Sequence, residues 1–289
     1  MRRKWFRAVT IGLIFTLGLS SVAMAADAET FKKGKGDHQG NILTMAVAWK
    51  QTAAEYGALY HQAFNIAKDR VDAALAAQKP GDPPLCVVTD VDDTILLHPD
   101  YWGSLVAHGY DGFYDPLWDI HIAKDKILAA PGSKEFLDYC KSKGVEVFYV
   151  TSRDQGAKTT EYALKNLTDA GFPYADKDHV TVLIDTSNKE KVQHEIAKTH
   201  RIAVYLGDSL NDFRRIYYVK DVAQRYALME ADKDQYGRRF IVLPNPTDGH
   251  WVRAIFGESE PAPTKENRKT WKKAAAGHTS PAIEQALEK

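Results

Sequence analysis

The chain has 289 residues, 44% hydrophobic and 26% charged, with 38 Lys+Arg balanced by 38 Asp+Glu. This is the composition of an ordinary globular protein, long enough for one core with a lid or for two small domains. It has no basic excess of the kind that nucleic-acid backbone binding requires.

Residues 1–25 stand apart. Arg2, Arg3, Lys4 and Arg7 precede an apolar run over 8–19, and Ala23-Met24-Ala25 is a small-x-small cleavage site, the pattern of a secretory signal peptide. A retained membrane anchor is the alternative, but the run is short for a span of about 20 residues. No cysteine lies near the cleavage site to carry a lipid anchor. Cleavage would leave 264 residues, with 34 Lys+Arg against 38 Asp+Glu. An exported chain meets an oxidising compartment, where Cys86 and Cys140 could pair if the demanding geometry of a disulfide were met. Two isolated cysteines do not have the spacing of a zinc site.

Residues 26–40 are polar and rich in Lys and Gly, a flexible leader. Over 41–77, apolar residues from Ile42 through Trp49, Tyr56, Tyr60 and Phe64 recur at helical spacing, which predicts two helices or one long bent one. Pro80-Gly81-Asp82-Pro83-Pro84 then introduces the apolar run 85–88, which reads as a buried parallel strand. It ends in Thr89-Asp90-Val91-Asp92-Asp93-Thr94, where three carboxylates crowd together and repel unless a cation or shared proton relieves them. An acidic turn with Asp92 or Thr94 as helix N-cap is the plainer reading of the same six residues.

An aromatic, turn-rich passage occupies about 95–130, placed where a lid would stand over the strand ends. Its rings could grip a substrate or form the insertion's own small core. Strands follow at 145–150, 180–184, 202–206 and 240–243, with helices at 133–142, 159–170 and from about 190 to 200. Strands alternating with helices imply an α/β fold with a parallel sheet in three layers. Residues 258–289 are Pro/Lys/Ala-rich and read as a polar surface tail with at most a short helix.

Each predicted strand ends in something chemically useful: Asp90 and Asp92, then Thr151, then Lys189, then Asp208 and Asp212. Ligands in open α/β sheets bind at the carboxyl ends of the strands. Hard carboxylate oxygens suit Mg²⁺, and a hydroxyl with an ammonium suits a phosphoryl dianion. The set fits phosphoryl transfer through a covalent aspartyl-phosphate. Ser152 competes with Thr151 for the hydroxyl role, and Lys191 competes with Lys189. His98, His179 and His250 read as surface or loop histidines, and Arg153 as either a substrate contact or a surface arginine.

The ordered set resembles the haloacid dehalogenase (HAD) superfamily of phosphatases, and more narrowly the secreted class C acid phosphatases (subfamily IIIB). The resemblance rests on Asp90-Val91-Asp92-Asp93-Thr94, Thr151, Ser187-Asn188-Lys189, Gly207-Asp208 through Asp212-Phe213, and Phe240 through Pro246. An N-terminal signature around Trp49, Ala54-Glu55-Tyr56 and Gln62-Ala63-Phe64-Asn65 adds to it. It implies an HAD-like Rossmannoid sheet over 41–257, with a small helical and aromatic cap drawn from 41–77 and about 95–130. It also implies Asp90 as nucleophile and Asp92 as general acid and base. Thr151, Ser152 and Lys189 would bind the substrate phosphate. Mg²⁺ would sit on Asp90, the backbone carbonyl of Asp92 and Asp208, with Asp212 in support. Class C members acting on nucleotides carry an aromatic residue where this chain has Asp248; Tyr114 and Trp118 are candidate lid residues.

The expected protein is an exported, periplasmic or secreted, Mg²⁺-dependent acid phosphatase acting on small phosphomonoesters, with 5′-nucleotides as leading candidates. No nucleic-acid polymer and no stable membrane anchor is expected, and a homodimer is one open arrangement. A phosphotransferase with the same chemistry and a non-catalytic surface binding protein on this fold are the alternatives. A phosphoacceptor receiver domain lacks an acid two residues after the nucleophile and carries no export signal.

Overall fold

The computed structural model describes residues 40–288. The signal peptide and most of the leader lie outside the described residues. The main unit spans Gln39–His278. Within the terminal unit the described residues form one short helix, Pro281–Leu287.

Five parallel strands make the central sheet: β1 (Leu85–Thr89), β4 (Glu146–Ser152), β5 (Val180–Leu183), β6 (Arg201–Gly207) and β7 (Phe240–Val242), in the order β5-β4-β1-β6-β7. All five residues of β1 are buried, which is why its sequence reads as an unbroken apolar run in the middle of the sheet. Register brings the strand ends level: Thr89 pairs with Tyr149 of β4 and with Leu206 of β6. Asp90, Thr151 and Asp208 therefore leave the sheet along one edge.

Alternation sends Leu85 and Val87 to one face and Cys86 and Val88 to the other. The first face is covered by α2 (Ala54–Ala76), α5 (Ser133–Ser142) and α6 (Thr159–Asp169), and the second by α7 (Glu190–Thr199) with Phe213. Cys86 and Cys140 are free and belong to the cores on opposite faces, so they do not pair.

The 41–77 region is two helices, α1 (Thr44–Thr52) and α2, separated by Ala53 in extended conformation. Here the structure corrects the expectation of a cap. Tyr60, Ala63, Phe64, Ala67 and Val71 recur on one face of a 23-residue helix, and that stripe is buried in the same core as β1, β6 and β7. A stripe of that length needs an apolar surface as large as a sheet face to bury against.

The insertion after β1 is closed by an antiparallel ribbon, β2 (Leu96–Leu97) with β3 (Leu128–Ala129), and carries α3 (Pro99–Ala107) and α4 (Asp115–Lys124). Its rings pack on one another, with Tyr101 5.0 Å and Phe113 5.4 Å from Trp118 between centroids, so they form a small core. Further helices follow: α8 (Val222–Ala231), α9 (His250–Phe256) and α10 (Lys265–Ala275). The last falls in the expected tail. It is held by Trp271 against Phe256 and Trp251, and by an ion pair from Arg268 to Asp111. None of the described helices is long and apolar enough to cross a membrane.

Candidate active site

The loop after β1 is organised by its own side chains and does not begin a helix, so the N-cap reading fails. Asp93 adopts a left-handed conformation (φ 51°), unusual for a residue other than glycine. Tyr60 of α2 donates to its carbonyl at 2.5 Å. Its carboxylate pairs with Lys50 at 2.9 Å and accepts from Trp102 Nε1 at 3.3 Å. This fold of the chain turns Asp90 and Asp92 into the same cavity.

Asp90 is buried. Thr94 Oγ1 donates to its Oδ2 at 3.0 Å, and the Lys189 ammonium lies against its Oδ1. Lys189 also pairs with Asp212 Oδ1 at 2.7 Å. Asp212 Oδ2 accepts from the Ser209 amide at 2.9 Å, half of a capping box on the turn that follows β6. Asn245 Nδ2 donates to Asp208 Oδ2 at 2.7 Å. Asp90, Asp208 and Asp212 each offer an oxygen within 4.8 Å of the others.

One ammonium among three carboxylates, two buried and one half-buried, leaves the group short of positive charge. Burial pushes Asp90 up to about 7, against the pull of Lys189, and Asp212 and Asp92 push it further. Burial, Asp212 and Asp90 raise Asp208 well above the carboxylate range. Burial alone would lower Lys189, but Asp212 and Asp90 outweigh it and raise its pKa. Hard oxygen donors with an uncompensated charge are what a divalent cation fits.

Asp92 faces a different environment. Arg153 donates to both its oxygens, from Nε at 2.7 Å and from Nη2 at 2.6 Å, and Thr151 Oγ1 lies 3.3 Å from Oδ2. Burial would raise its pKa, but the guanidinium holds Asp92 well below the usual carboxylate range. His98 Nε2 sits 2.9 Å from Oδ1; beyond it, His98 Nδ1 meets His121 Nε2 at 3.1 Å, and His121 Nδ1 meets Asp125 Oδ2 at 2.8 Å. A neutral imidazole carries one hydrogen, so each ring donates at one nitrogen and accepts at the other along this run.

The structure thus brings Asp90, Asp92, Thr151, Ser152, Lys189, Asp208 and Asp212 to one cavity of about 280 Å³. Thr151 is buried and touches Asp92, whereas Ser152 is exposed and donates to the Thr186 carbonyl. Lys189 is buried at the cavity, whereas Lys191 is exposed and is not part of its lining. Trp118 lines the cavity while packed in the insertion's core. Tyr114 is exposed, lies against Tyr110 and is not part of the cavity lining, so it is no lid residue in this arrangement.

Other side chains were missed or misplaced by sequence reasoning. Arg153 is 4% exposed and grips Asp92, so it is neither a surface arginine nor a free substrate contact. His98 is buried rather than in a surface loop, and His250 lines the cavity with its pKa pushed down to about 4 by burial. Lys50, Asn245 and His121 carried no assigned role. Asn245 stood within the Phe240–Pro246 block, the one available signal. Lys50 and His121 reach the site only through tertiary contacts. At the outer end, burial raises Asp248 to about 6 and Glu260 to about 7, with neighbouring carboxylates adding to both.

Acids, a buried lysine and a threonine at the ends of parallel strands, around a donor set for a divalent ion, define an α/β enzyme of phosphoryl transfer. Comparison with known proteins makes the class specific. The family model of the HAD superfamily, subfamily IIIB (Acid phosphatase), matches residues 18–251, and the chain belongs to that family. Two solved structures of class C acid phosphatase from Bacillus anthracis, one with tungstate bound, are each similar to this chain at 33% identity and a TM-score of 0.73. Each match covers 82% of this chain and 96% of the other. The protein is an HAD-type phosphomonoesterase, and its acidic cluster is placed for the divalent metal of such enzymes.

Proposed function

We propose that the protein is an exported, Mg²⁺-dependent acid phosphatase that hydrolyses phosphomonoesters, 5′-nucleotides among them, through an aspartyl-phosphate on Asp90. The observation that supports this most directly is the juxtaposition of Asp90 with Lys189, Asp212 and Asp208 at the end of the central strand. Mg²⁺ would be held by Asp90 and Asp208 with the backbone carbonyl of Asp92, supported by Asp212, and when bound it offsets repulsion between the nucleophile and a phosphate dianion.

Lys189, Thr151 and Ser152 bind the phosphoryl oxygens. A carboxylate oxygen of Asp90 bonds to phosphorus as the bond to the leaving oxygen breaks, and Asp92 gives that oxygen its proton. Asp92, now a carboxylate, takes a proton from the water that attacks phosphorus, and the Asp90–phosphorus bond breaks to release inorganic phosphate. The grip of Arg153 favours the carboxylate form, so it suits the second half of the cycle. In the first half Asp92 has to part from Arg153 to carry a proton.

The tungstate of the Bacillus anthracis relative is a tetrahedral oxyanion like phosphate, consistent with such a cradle. For a nucleotide, Trp102, Phe113 and Trp118 line the cavity and supply aromatic surface beside the position where this chain has Asp248. Export rests on the pattern of residues 1–25. The test is phosphate release by the mature chain from an aryl phosphate and a panel of 5′-nucleotides, at acidic and neutral pH, with Mg²⁺ or EDTA. Mg²⁺-dependent release from both supports the whole reading. Release from the aryl phosphate alone removes the nucleotide assignment, and release undiminished by EDTA removes the metal.

A further inference from the structure

The side chain of Asp92 is tied to the insertion as well as to the sheet. Arg153 and Thr151 reach it from the end of β4, and His98 reaches it from the junction of β2 and α3. His98 is in turn held by His121 of α4, and His121 by Asp125, which follows that helix and donates its amide to the His121 carbonyl at 2.9 Å. A second branch starts one residue along the same helix. Asn166 Nδ2 donates to the Ile122 carbonyl at 3.2 Å, and Asn166 Oδ1 accepts from Arg153 Nη1 at 2.9 Å. Two adjacent residues of α4 therefore reach the Asp92 carboxylate by separate routes, each through a fully buried polar side chain.

Packing alone does not ask for this arrangement. His98 and His121 are 1% and 4% exposed and sit against Trp118, with ring centroids 4.6 Å and 5.8 Å away. Apolar side chains would fill that aromatic core without the cost of burying polar nitrogens, which is recovered only if each finds a partner. The partners at the two ends of the run are Asp92 in the cavity and Asp125, whose side chain is 53% exposed.

We propose that His121 and Asp125 are positioning residues that, acting through His98, hold the Asp92 carboxylate toward the leaving-group oxygen. This rests on Asp92 being the general acid. His98 shares Oδ1 with Arg153 Nη2. When the guanidinium contact loosens, the imidazole is the contact from the insertion that keeps the carboxylate oriented. Asp125 fixes the His121 ring, and His121 fixes that of His98.

The test uses the metal-loaded full chain and two substrates that differ in their need for an acid, p-nitrophenyl phosphate and a simple alkyl phosphate. General-acid assistance contributes on the order of 10²–10⁴-fold and matters most for the poor alkoxide leaving group. Asp125 is exposed, so Asp125→Ala is expected to leave the melting temperature nearly unchanged. It should lower kcat/KM for the alkyl phosphate about tenfold, as expected when a reacting group is misplaced by a fraction of the distance that costs ~10². For the aryl phosphate, whose leaving group needs no acid, kcat/KM should stay within about twofold. Asp125→Asn keeps an oxygen that accepts from His121 Nδ1 and should restore the alkyl rate. His121→Phe should repeat the selective loss.

Asp92→Asn calibrates the pair. If it shows no selectivity between the substrates in kcat/KM, which reports the first phosphoryl transfer and not the shared hydrolysis of the phosphoenzyme, the general-acid reading itself fails. If Asp92→Asn is selective while Asp125→Ala and His121→Phe lose both rates equally, or neither, the positioning proposal is overturned. Failure of Asp125→Asn to rescue overturns it as well.

Discussion

Gly207 ends β6 immediately before Asp208, and its lack of a side chain is a condition for the site. A Cβ there would lie 2.4 Å from Asp212 Oδ2, 2.5 Å from its Cβ and 2.7 Å from its Cγ. Since carbon contacts are comfortable at roughly 3.5–4.0 Å, Gly207→Ala asks Asp212 to retreat by about 1 Å. Asp212 has no slack, because Oδ1 pairs with Lys189 at 2.7 Å and Oδ2 accepts from the Ser209 amide at 2.9 Å. Overpacking costs about 1–3 kcal/mol, and loss of the buried lysine contact moves the total toward the ~3–5 kcal/mol of a broken buried pair. The expected decrease in unfolding free energy is thus about 2–4 kcal/mol.

A shift of about 1 Å in a group beside the reacting atoms costs roughly 10²-fold, so kcat/KM at saturating metal should fall by about that factor, and metal should bind more weakly. Gly57→Ala in α2 is the control, because a Cβ there meets nothing within 4 Å. It should leave kinetics unchanged and raise stability by up to about 1 kcal/mol. Urea unfolding, metal titration and steady-state kinetics on both variants read all of these quantities. A folded Gly207→Ala with wild-type kcat/KM and metal affinity would refute the argument that Asp212 must sit where it does.

Two further outcomes follow from the electrostatics. In metal-free protein, Asp90 and Asp208 have pKa values raised by burial and by neighbouring carboxylates, so between about pH 4 and 7 the unfolded chain holds fewer protons than the folded one. Stability of the chelated protein should therefore fall as pH rises through that window, and the increase in melting temperature on adding Mg²⁺ should grow over the same interval. Metal-free protein most stable at neutral pH would contradict this. Arg153→Met removes both hydrogen bonds to Asp92 and leaves Asn166 Oδ1 without its donor. Asp92 retains some solvent exposure, so the cost should be about 2–4 kcal/mol at neutral pH, toward the low side for a broken buried pair. Because the folded pKa of Asp92 is depressed, this contribution is present above about pH 4 and fades as pH falls below it. Urea unfolding at pH 7 with an unchanged midpoint would contradict the role of Arg153 as the partner of Asp92.

The sheet was legible because a parallel strand covered on both faces has to be written as an apolar run, and β1, β4 and β6 each are. Their ends were legible as a set: one acidic turn also reads as a helix cap, but four strands that each end in a carboxylate, hydroxyl or ammonium point to a site. The helix α8 was missed because it buries Arg225 alone, and the polar tail was allowed only a short helix where α10 forms, because α10 buries nothing fully. The 41–77 stripe was seen, but periodicity does not say what a stripe packs on, and the sheet face took it. Arg153, His98, His121 and Lys50 escaped for a third reason. The contacts from His98 to His121 and from Arg153 to Asp92 span 23 and 61 residues of chain, and a buried ionic or imidazole contact at such a separation leaves no spacing in the sequence. The aromatic insertion was read as either lid or core, and Trp118 packs in that core while lining the cavity.

The central claim is that Asp90 carries the phosphoryl group. The most direct measurement is an acid quench of the Mg²⁺-loaded enzyme during turnover of an aryl phosphate, followed by peptide mapping by mass spectrometry. The account predicts one added phosphoryl group on the peptide containing Asp90, with a higher yield in Asp92→Asn, where hydrolysis of the intermediate is slowed. It also predicts no modification and no turnover in folded Asp90→Asn. Turnover by Asp90→Asn at the wild-type rate, with no phosphopeptide from either enzyme, would contradict it.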